Sequence, residues 1–159
     1  MAFDICKFLP WMCNKPTPGV PSTPTPPGNF SGMEVRILTL TNELRAANGV
    51  SPLVWSDELA YAAHDWSYKQ SLTGIISHLG FPFARSLVIK AKYPGSSVSV
   101  RGENVAMFTG LNSDPAKSLV DMWAHSPGHR ANMLNGSFTK LGTGIVSGWA
   151  TFGTQIFGT

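Results

Sequence analysis

Histidines and one glutamate are the residues of this chain best suited to chemistry. His78 follows a serine, Glu103 stands between a glycine and an asparagine, and His125 and His129 flank the tripeptide Ser-Pro-Gly. Two imidazoles and one carboxylate can hold a divalent metal such as zinc and leave one coordination position for an activated water. Two of these three histidines together with Glu103 are therefore a plausible set of metal ligands, and the residue types alone leave open which two.

The same histidines also admit a purely structural interpretation. His125 and His129 are four residues apart, as zinc-binding pairs on a helix are, but Pro127 and Gly128 lie between them. A helix is also expected to begin at Ser126, so the two rings need not share one face. Each histidine would then be a partly buried, hydrogen-bonded residue. Spacing alone leaves both interpretations open.

A hydrolytic site would need more than a metal. A zinc ion with three protein ligands at about 2.0 to 2.2 Å would hold water, which is the minimum for hydrolysis. His125 is the candidate general base, because imidazole exchanges protons near neutral pH. Ser126 is a weaker candidate nucleophile, since a serine before proline at a helix start is usually a cap. The candidate catalytic residues are His78, Glu103, His129 and His125.

Capping signals and apolar periodicity predict the elements that must position these groups. Ser56 and Asp114 are good N-caps, and Gly49 is a helix stop. The predicted helices span 33–48, 57–70, 84–92, 115–123 and 127–134, and the predicted strands span 98–108, 140–147 and 149–157. Tryptophans are expected in the core or the cleft wall; they are Trp55, Trp123 and Trp149.

This order of elements predicts the fold class. With 159 residues, 43% of them hydrophobic, the chain can bury one substantial core. Helices on both sides of a small sheet, with the last two strands joined by a tight turn at Ser147-Gly148, predict an α+β, three-layer α-β-α sandwich. We expect the central sheet to be mostly antiparallel.

Composition excludes several partners. The net charge is +3, and charged residues make up 13% of the chain, which is well below the usual quarter. The basic residues are scattered singly, so no stripe follows a phosphate backbone and nucleic acid is not an expected partner. No apolar run approaches the roughly 18 to 20 residues that a membrane-spanning helix needs, so no transmembrane segment is predicted.

The first 28 residues differ from the rest of the chain. Residues 1–14 lack the basic region and cleavage site of a secretory signal, yet they contain large apolar side chains, namely Phe3, Ile5, Phe8, Leu9, Trp11 and Met12. Residues 15–28 hold six of the twelve prolines and resemble an extended spacer. We predict an apolar anchor (1–14), a Pro-rich linker (15–28) and a domain (29–159).

Two features of this N-terminal region stay open. The anchor is expected to attach the domain to a larger protein assembly through residues 1–28, and a disordered tail is the alternative. Cys6 and Cys13 are the two cysteines of the chain. They would form a short local disulfide in an oxidising compartment or remain free thiols otherwise.

Several blocks of the sequence resemble, in order, those of the CAP superfamily, which comprises cysteine-rich secretory, antigen 5 and pathogenesis-related proteins. The blocks cover about residues 31–157, and together they are specific. They are Thr41-Asn-Glu-Leu-Arg45, Pro52-Leu-Val-Trp55, Ser77-His78, Gly102-Glu-Asn-Val-Ala106, the segment from Trp123 to Leu134, and Gly142-Thr-Gly144. The chain is most similar to the compact bacterial branch, called SCP-like.

This resemblance implies an α-β-α sandwich with an open cleft. By position, His78 and His129 match the two cleft histidines of the family, and Glu103 matches the glutamate of its Gly-Glu-Asn block, so the resemblance makes His78, Glu103 and His129 the expected metal ligands. Eukaryotic relatives carry a second glutamate two residues after the tryptophan that matches Trp123, where this chain has His125. Family members have been reported to bind zinc, and some bind sterols or other lipids, but no common reaction unites them.

Three functions follow as hypotheses. The leading one is a non-enzymatic module whose His/Glu-lined cleft binds a small ligand, such as a lipid, or a divalent metal. The second is a metal-dependent hydrolase acting on cell-wall, peptide or ester bonds. The third is a structural component of a virion or surface appendage. The family resemblance implies an extracellular or surface location, whereas no signal peptide is evident, and a virion would reconcile the two.

Overall fold

The computed structural model describes residues 32–159. The predicted anchor, the Pro-rich linker and the two cysteines lie outside the described residues. The elements, in chain order, are α1 (Gly32–Ala47), β1 (Val54–Trp55), α2 (Asp57–Thr73), α3 (Phe83–Lys92), β2 (Val100–Thr109), α4 (Pro115–His125), α5 (Pro127–Met133), β3 (Lys140–Ser147) and β4 (Ala150–Gly158).

The strands form one sheet in the order β1-β3-β4-β2. β4 pairs antiparallel with both β3 and β2, and the two-residue β1 pairs parallel with β3. Helices α2 and α3 cover one face of the sheet, and α1, α4 and α5 cover the other. The predicted α+β three-layer sandwich with a mostly antiparallel sheet is therefore confirmed.

Side-chain caps fix the ends of the helices, as predicted. The Ser56 hydroxyl accepts a hydrogen bond from the Leu59 backbone amide, and Gly74 ends α2 in the left-handed conformation at φ 72°. The Asp114 carboxylate accepts from the Lys117 amide at the start of α4. These contacts satisfy backbone groups that a helix end leaves without partners.

Helix α2 lies directly on the backbone of β3. A Cβ atom at Gly142 would lie 2.0 Å from the Ala60 backbone nitrogen, and one at Gly144 would lie 2.2 Å from the His64 nitrogen. Real Cβ atoms essentially never approach backbone atoms so closely, so the two glycines permit this packing. The Gly-Thr-Gly block therefore serves helix–sheet packing in this fold.

The open edge of β3 beyond β1 is satisfied by side chains. The backbone amide of Ile145 donates to the Glu34 carboxylate at 3.3 Å, and the Thr143 hydroxyl donates to the Glu34 carbonyl at 2.9 Å. From the other face, the Ser67 hydroxyl donates to the Gly144 carbonyl at 2.9 Å. Helices α1 and α2 thereby shield a sheet edge that could otherwise pair with another chain.

Three details differ from the sequence-based predictions. β1 was not predicted, because two residues carry no periodicity. Trp149 was expected in the core or cleft wall, but it is 65% exposed beside the β3–β4 turn, with its ring against Phe152 and close to Gly74. Ser126 precedes α5, yet its side chain makes no capping hydrogen bond. Trp123 is fully buried, as predicted.

No helix within residues 32–159 combines the length and apolar character that crossing a membrane would require.

Candidate functional site

Glu103 lies in the middle of the site, on the edge strand β2. Its strand partner is Ile156 of β4, and its side chain is only 1% exposed. A buried carboxylate is costly unless it is paired and hydrogen-bonded. Its partners therefore explain why the fold tolerates it.

Arg85 of α3 is the main partner of this carboxylate. Its Nε lies 2.6 Å from Glu103 Oε2, and its terminal NH2 nitrogen lies 3.1 Å from Oε1, so the pair is bidentate. The guanidinium also lies 3.5 Å from the centre of the Trp66 ring and donates to the Leu79 carbonyl at 3.2 Å. The Arg85 side chain is 1% exposed, so a complete ion pair is buried between the sheet and α3.

His78 is oriented by the same carboxylate. Its Nδ1 lies 2.9 Å from Glu103 Oε1. Because a carboxylate only accepts hydrogen bonds, this contact places a proton on Nδ1, and whenever the ring is neutral its lone pair lies on Nε2. The His78 side chain is 51% exposed, so this nitrogen is accessible to a ligand from solvent.

The loop that carries His78 is itself fixed to α2. The Ser77 amide donates to Gln70 Oε1 at 3.0 Å, and Trp66 Nε1 donates to the Ser77 carbonyl at 2.9 Å. Trp66 thus contacts both Arg85 and the loop beside His78. The imidazole is held from its backbone as well as from its ring.

His129 reaches the site from the opposite helical layer. Asn104, next to Glu103 on β2, donates through Nδ2 to the His129 carbonyl at 3.1 Å. Asn132 of α5 donates to the Glu103 carbonyl at 3.2 Å and to Asn104 Oδ1 at 2.9 Å. The Glu103-Asn104 pair therefore positions one histidine through its side-chain carboxylate and the other through its amide.

The electrostatics of His129 link it to His78. Burial lowers the pKa of His129 below the ordinary histidine value, and the charge that His78 carries when it is protonated lowers this pKa further. His129 is only partly buried. A partly accessible imidazole with a lowered pKa and a second imidazole near enough to act on it is suited to bind a cation or to accept a hydrogen bond.

His125 does not take part in this arrangement. It is an exposed residue at the end of α4, and its Nδ1 lies 2.7 Å from the Asp121 carbonyl one turn earlier. The structure thus joins His78 to Glu103 directly, ties the backbone of His129 to the neighbouring Asn104, and leaves the predicted general base on the helix surface. Within residues 32–159, no serine or threonine hydroxyl is hydrogen-bonded to a histidine.

The contacts of these side chains are better suited to two metal ligands than to three. The three-ligand prediction gave Glu103 a direct bond to the ion, but both of its oxygens contact the Arg85 guanidinium, and Oε1 also contacts His78. In the part of the chain that the structure describes, no three His, Cys, Asp or Glu residues are grouped so that they could hold a metal ion. A divalent metal would be held by His78 and His129, with Glu103 orienting His78.

Arg85 and Trp66 were not predicted to belong to the site. One signal in the sequence pointed to Arg85, which lies four residues before Ile89 on the buried face of α3. A buried arginine needs an acidic partner, and Glu103 is the only acidic residue between Asp65 and Asp114. The pairing follows from charge once the burial of Arg85 is known, and that burial is a property of the packed fold.

Comparison with known proteins identifies relatives of this chain. Residues 38–157 match the model of the cysteine-rich secretory protein family, CAP. The chain is 27% identical over 137 residues to the uncharacterized protein YkwD of Bacillus subtilis, with 86% of this chain and 51% of that relative covered. It spans about half or less of the length of the curated relatives it matches.

Solved structures give the same picture. An outer surface protein of Borrelia burgdorferi matches with a TM-score of 0.64 at 19% identity, covering 83% of this chain and 96% of that one. An extracellular protein containing an SCP domain from Bacillus anthracis matches with a TM-score of 0.61 at 25% identity, covering 82% and 44%. The first likeness concerns the fold alone.

Proposed function

Because the chain belongs to the cysteine-rich secretory protein (CAP) family, we propose that it is a binding module whose cleft holds a small ligand or a divalent metal between His78 and His129. The membership confirms the resemblance to CAP sequence blocks. The observation that carries the proposal is the buried Arg85–Glu103 pair, which fixes the His78 ring with its Nε2 facing outwards.

A non-enzymatic role agrees best with the contacts of the site. The Glu103 carboxylate is engaged by Arg85 and His78, so it is not available as a general acid or base. In the described residues no hydroxyl is activated by a histidine, and His125 is bonded to its own helix. These contacts support ligand binding and give no support to turnover.

The location and attachment of the module are part of the proposal. One relative of known structure is described as an extracellular protein containing an SCP domain, which supports a location outside the cell for this chain. Residues 1–28, with their apolar side chains and prolines, are proposed to attach the domain to a larger protein assembly.

Zinc titration by calorimetry tests the cleft. We expect one ion per chain in the wild type, and loss of that binding in both His78→Ala and His129→Ala, since each variant removes one of two protein ligands. His64→Ala is the matched control, because His64 is an exposed histidine on α2. A chain lacking residues 1–28 should keep the zinc affinity and lose co-purification with the assembly.

Two outcomes would count against this account. If the wild type took up no zinc, or if His78→Ala bound it as well as the wild type, the metal site would be refuted. If the shortened chain still co-purified with its assembly, the attachment would have to lie within the domain.

A further inference from the structure

The region around the α2–α3 connection exposes an unusual density of apolar side chains. Six of the thirteen large hydrophobic residues exposed in residues 32–159 fall within residues 72–87, and Leu79 and Phe83 are 76% and 71% exposed. Such a concentration on a protein surface marks an interaction site. We call these six residues the apolar patch: Leu72, Ile75, Ile76, Leu79, Phe83 and Leu87.

The apolar patch is held in a fixed shape. Gly74 ends α2 through a backbone bond to the Gln70 carbonyl, and the Ser77 amide donates to the Gln70 side chain. At the other end, the buried Arg85 donates to the Leu79 carbonyl. The apolar side chains are therefore presented by a loop that is bonded to both helices.

Helix α3 has the two faces of an interfacial helix. Arg85 and Ile89 point into the protein, whereas Phe83 and Leu87 lie one turn apart on the exposed side. Lys90 follows on the same side, three residues after Leu87, and is also exposed. Apolar side chains followed by lysine are typical of helices that lie in the surface of a membrane.

The charged side chains of this segment of the chain have one sign, and the nearest acidic residues at the end of α3 are Asp57 and Glu58 of α2, which act on Tyr93. Residues 66–102 contain five lysines and arginines and no aspartate or glutamate. Arg85 is used internally by Glu103, Lys69 pairs with Asp65, and the Lys92 ammonium lies 5.7 Å from the centre of the Tyr61 ring, whereas Lys90 is exposed on α3 three residues after Leu87. A partner with an anionic surface and an apolar interior is complementary to this combination.

We propose that the apolar patch and the lysines at the end of α3 dock on a lipid bilayer that contains anionic lipids. Apolar side chains can insert one by one between the headgroups of a bilayer, so the patch needs no partner surface of complementary shape. The anionic headgroups also attract lysines. A second copy of the chain would instead bring the same lysines together. His78 lies between Ile76 and Leu79 of the patch, but the proposal does not rest on the function of the cleft, because it uses only the apolar side chains and the lysines.

Sedimentation of the full chain with vesicles tests this proposal. Binding is expected to an equal mixture of phosphatidylcholine and phosphatidylglycerol, to weaken at high salt, and to be much weaker with phosphatidylcholine alone. The double variant F83S/L87S should bind at least about tenfold more weakly, because two inserted side chains are removed. Lys90→Ala should weaken binding by about fivefold.

Leu111→Ser is the matched control. Leu111 is a fully exposed leucine in the segment before α4, outside the apolar patch, so its replacement should leave vesicle binding unchanged. Since Phe83 and Leu87 are exposed, F83S/L87S should retain the wild-type circular dichroism spectrum.

Several results would overturn the proposal. One is wild-type protein that stays in the supernatant, and another is F83S/L87S protein that binds as the wild type does, which would assign the binding to residues 1–14. A third is binding that ignores both salt and anionic lipid. A fourth is a wild-type chain that self-associates and does not bind vesicles, with F83S/L87S abolishing the self-association. The partner of the patch would then be a second copy of the chain.

Discussion

Arg85→Met is expected to lower the free energy of unfolding by about 3 to 5 kcal/mol, because it leaves the Glu103 carboxylate buried without its counter-ion. Both side chains are 1% exposed, so water cannot replace the lost partner. The variant also loses the contact with the Trp66 ring. Urea denaturation followed by tryptophan fluorescence measures the change.

Arg36→Met is the matched control for this prediction. Arg36 also forms a bidentate contact with a carboxylate, that of Asp114, but the two side chains are 37% and 33% exposed. The contact holds the pKa of Asp114 below its usual range. An ion pair so accessible to water contributes only about 0 to 1 kcal/mol. Equal destabilisation by the two variants would contradict the burial argument.

A second change separates stability from binding at the same position. Combining Arg85→Met with Glu103→Leu replaces the buried ion pair by apolar side chains and should restore most of the lost stability. The combined variant should still bind zinc more weakly by about 10 to 100-fold, because His78 loses the carboxylate that orients it. Restored zinc binding would show that Glu103 has no orienting role.

Gly144→Ala is expected to destabilise the domain by about 3 kcal/mol or more. The added Cβ would lie 2.2 Å from the His64 nitrogen and 2.4 Å from its Cα, so α2 would have to move away from β3. Backbone atoms inside a helix cannot yield as a side-chain end can. Thermal unfolding followed by circular dichroism should show a large fall in Tm.

Gly136→Ala provides the comparison for the glycine prediction. Gly136 lies between α5 and β3, and a Cβ there would meet nothing within 4 Å. Its replacement should therefore change Tm little. If Gly144→Ala were as stable as Gly136→Ala, the close approach of α2 to β3 would be incorrect.

Most of the fold followed from local sequence signals. Ser56 and Asp114 are N-caps in the structure, and the predicted strands at 98–108, 140–147 and 149–157 each overlap an observed strand. These features depend on neighbouring residues, so a single sequence reveals them. β1 escaped prediction, since its pairing with Lys140 and Leu141 depends on residues about 86 positions away.

The site was less accessible to sequence reasoning. Spacing gave no reason for His78 and His129 to converge, because one lies before α3 and the other on α5, on opposite sides of the sheet. Only the resemblance to CAP sequence blocks placed them in one cleft. The role of Glu103 depended on Arg85, whose burial is a property of the packed fold.

The pH behaviour of His129 provides the most direct test. Because burial and His78 lower its pKa, the unfolded chain binds more protons than the folded one once the pH falls below the ordinary histidine value. The stability that neutral His129 contributes is therefore complete above that pH and is lost as the pH falls towards the lowered pKa.

The central claim is that His78 and His129 share one cleft, and the decisive measurement is an NMR titration of the His129 ring in the metal-free wild type and in His78→Phe. Phenylalanine keeps a ring at position 78 but carries no charge, so we predict that the pKa of His129 rises towards the ordinary value without reaching it, since its burial remains. His64→Phe should leave it unchanged. A His129 pKa that is identical in the wild type and in His78→Phe would show that the two histidines do not share a site.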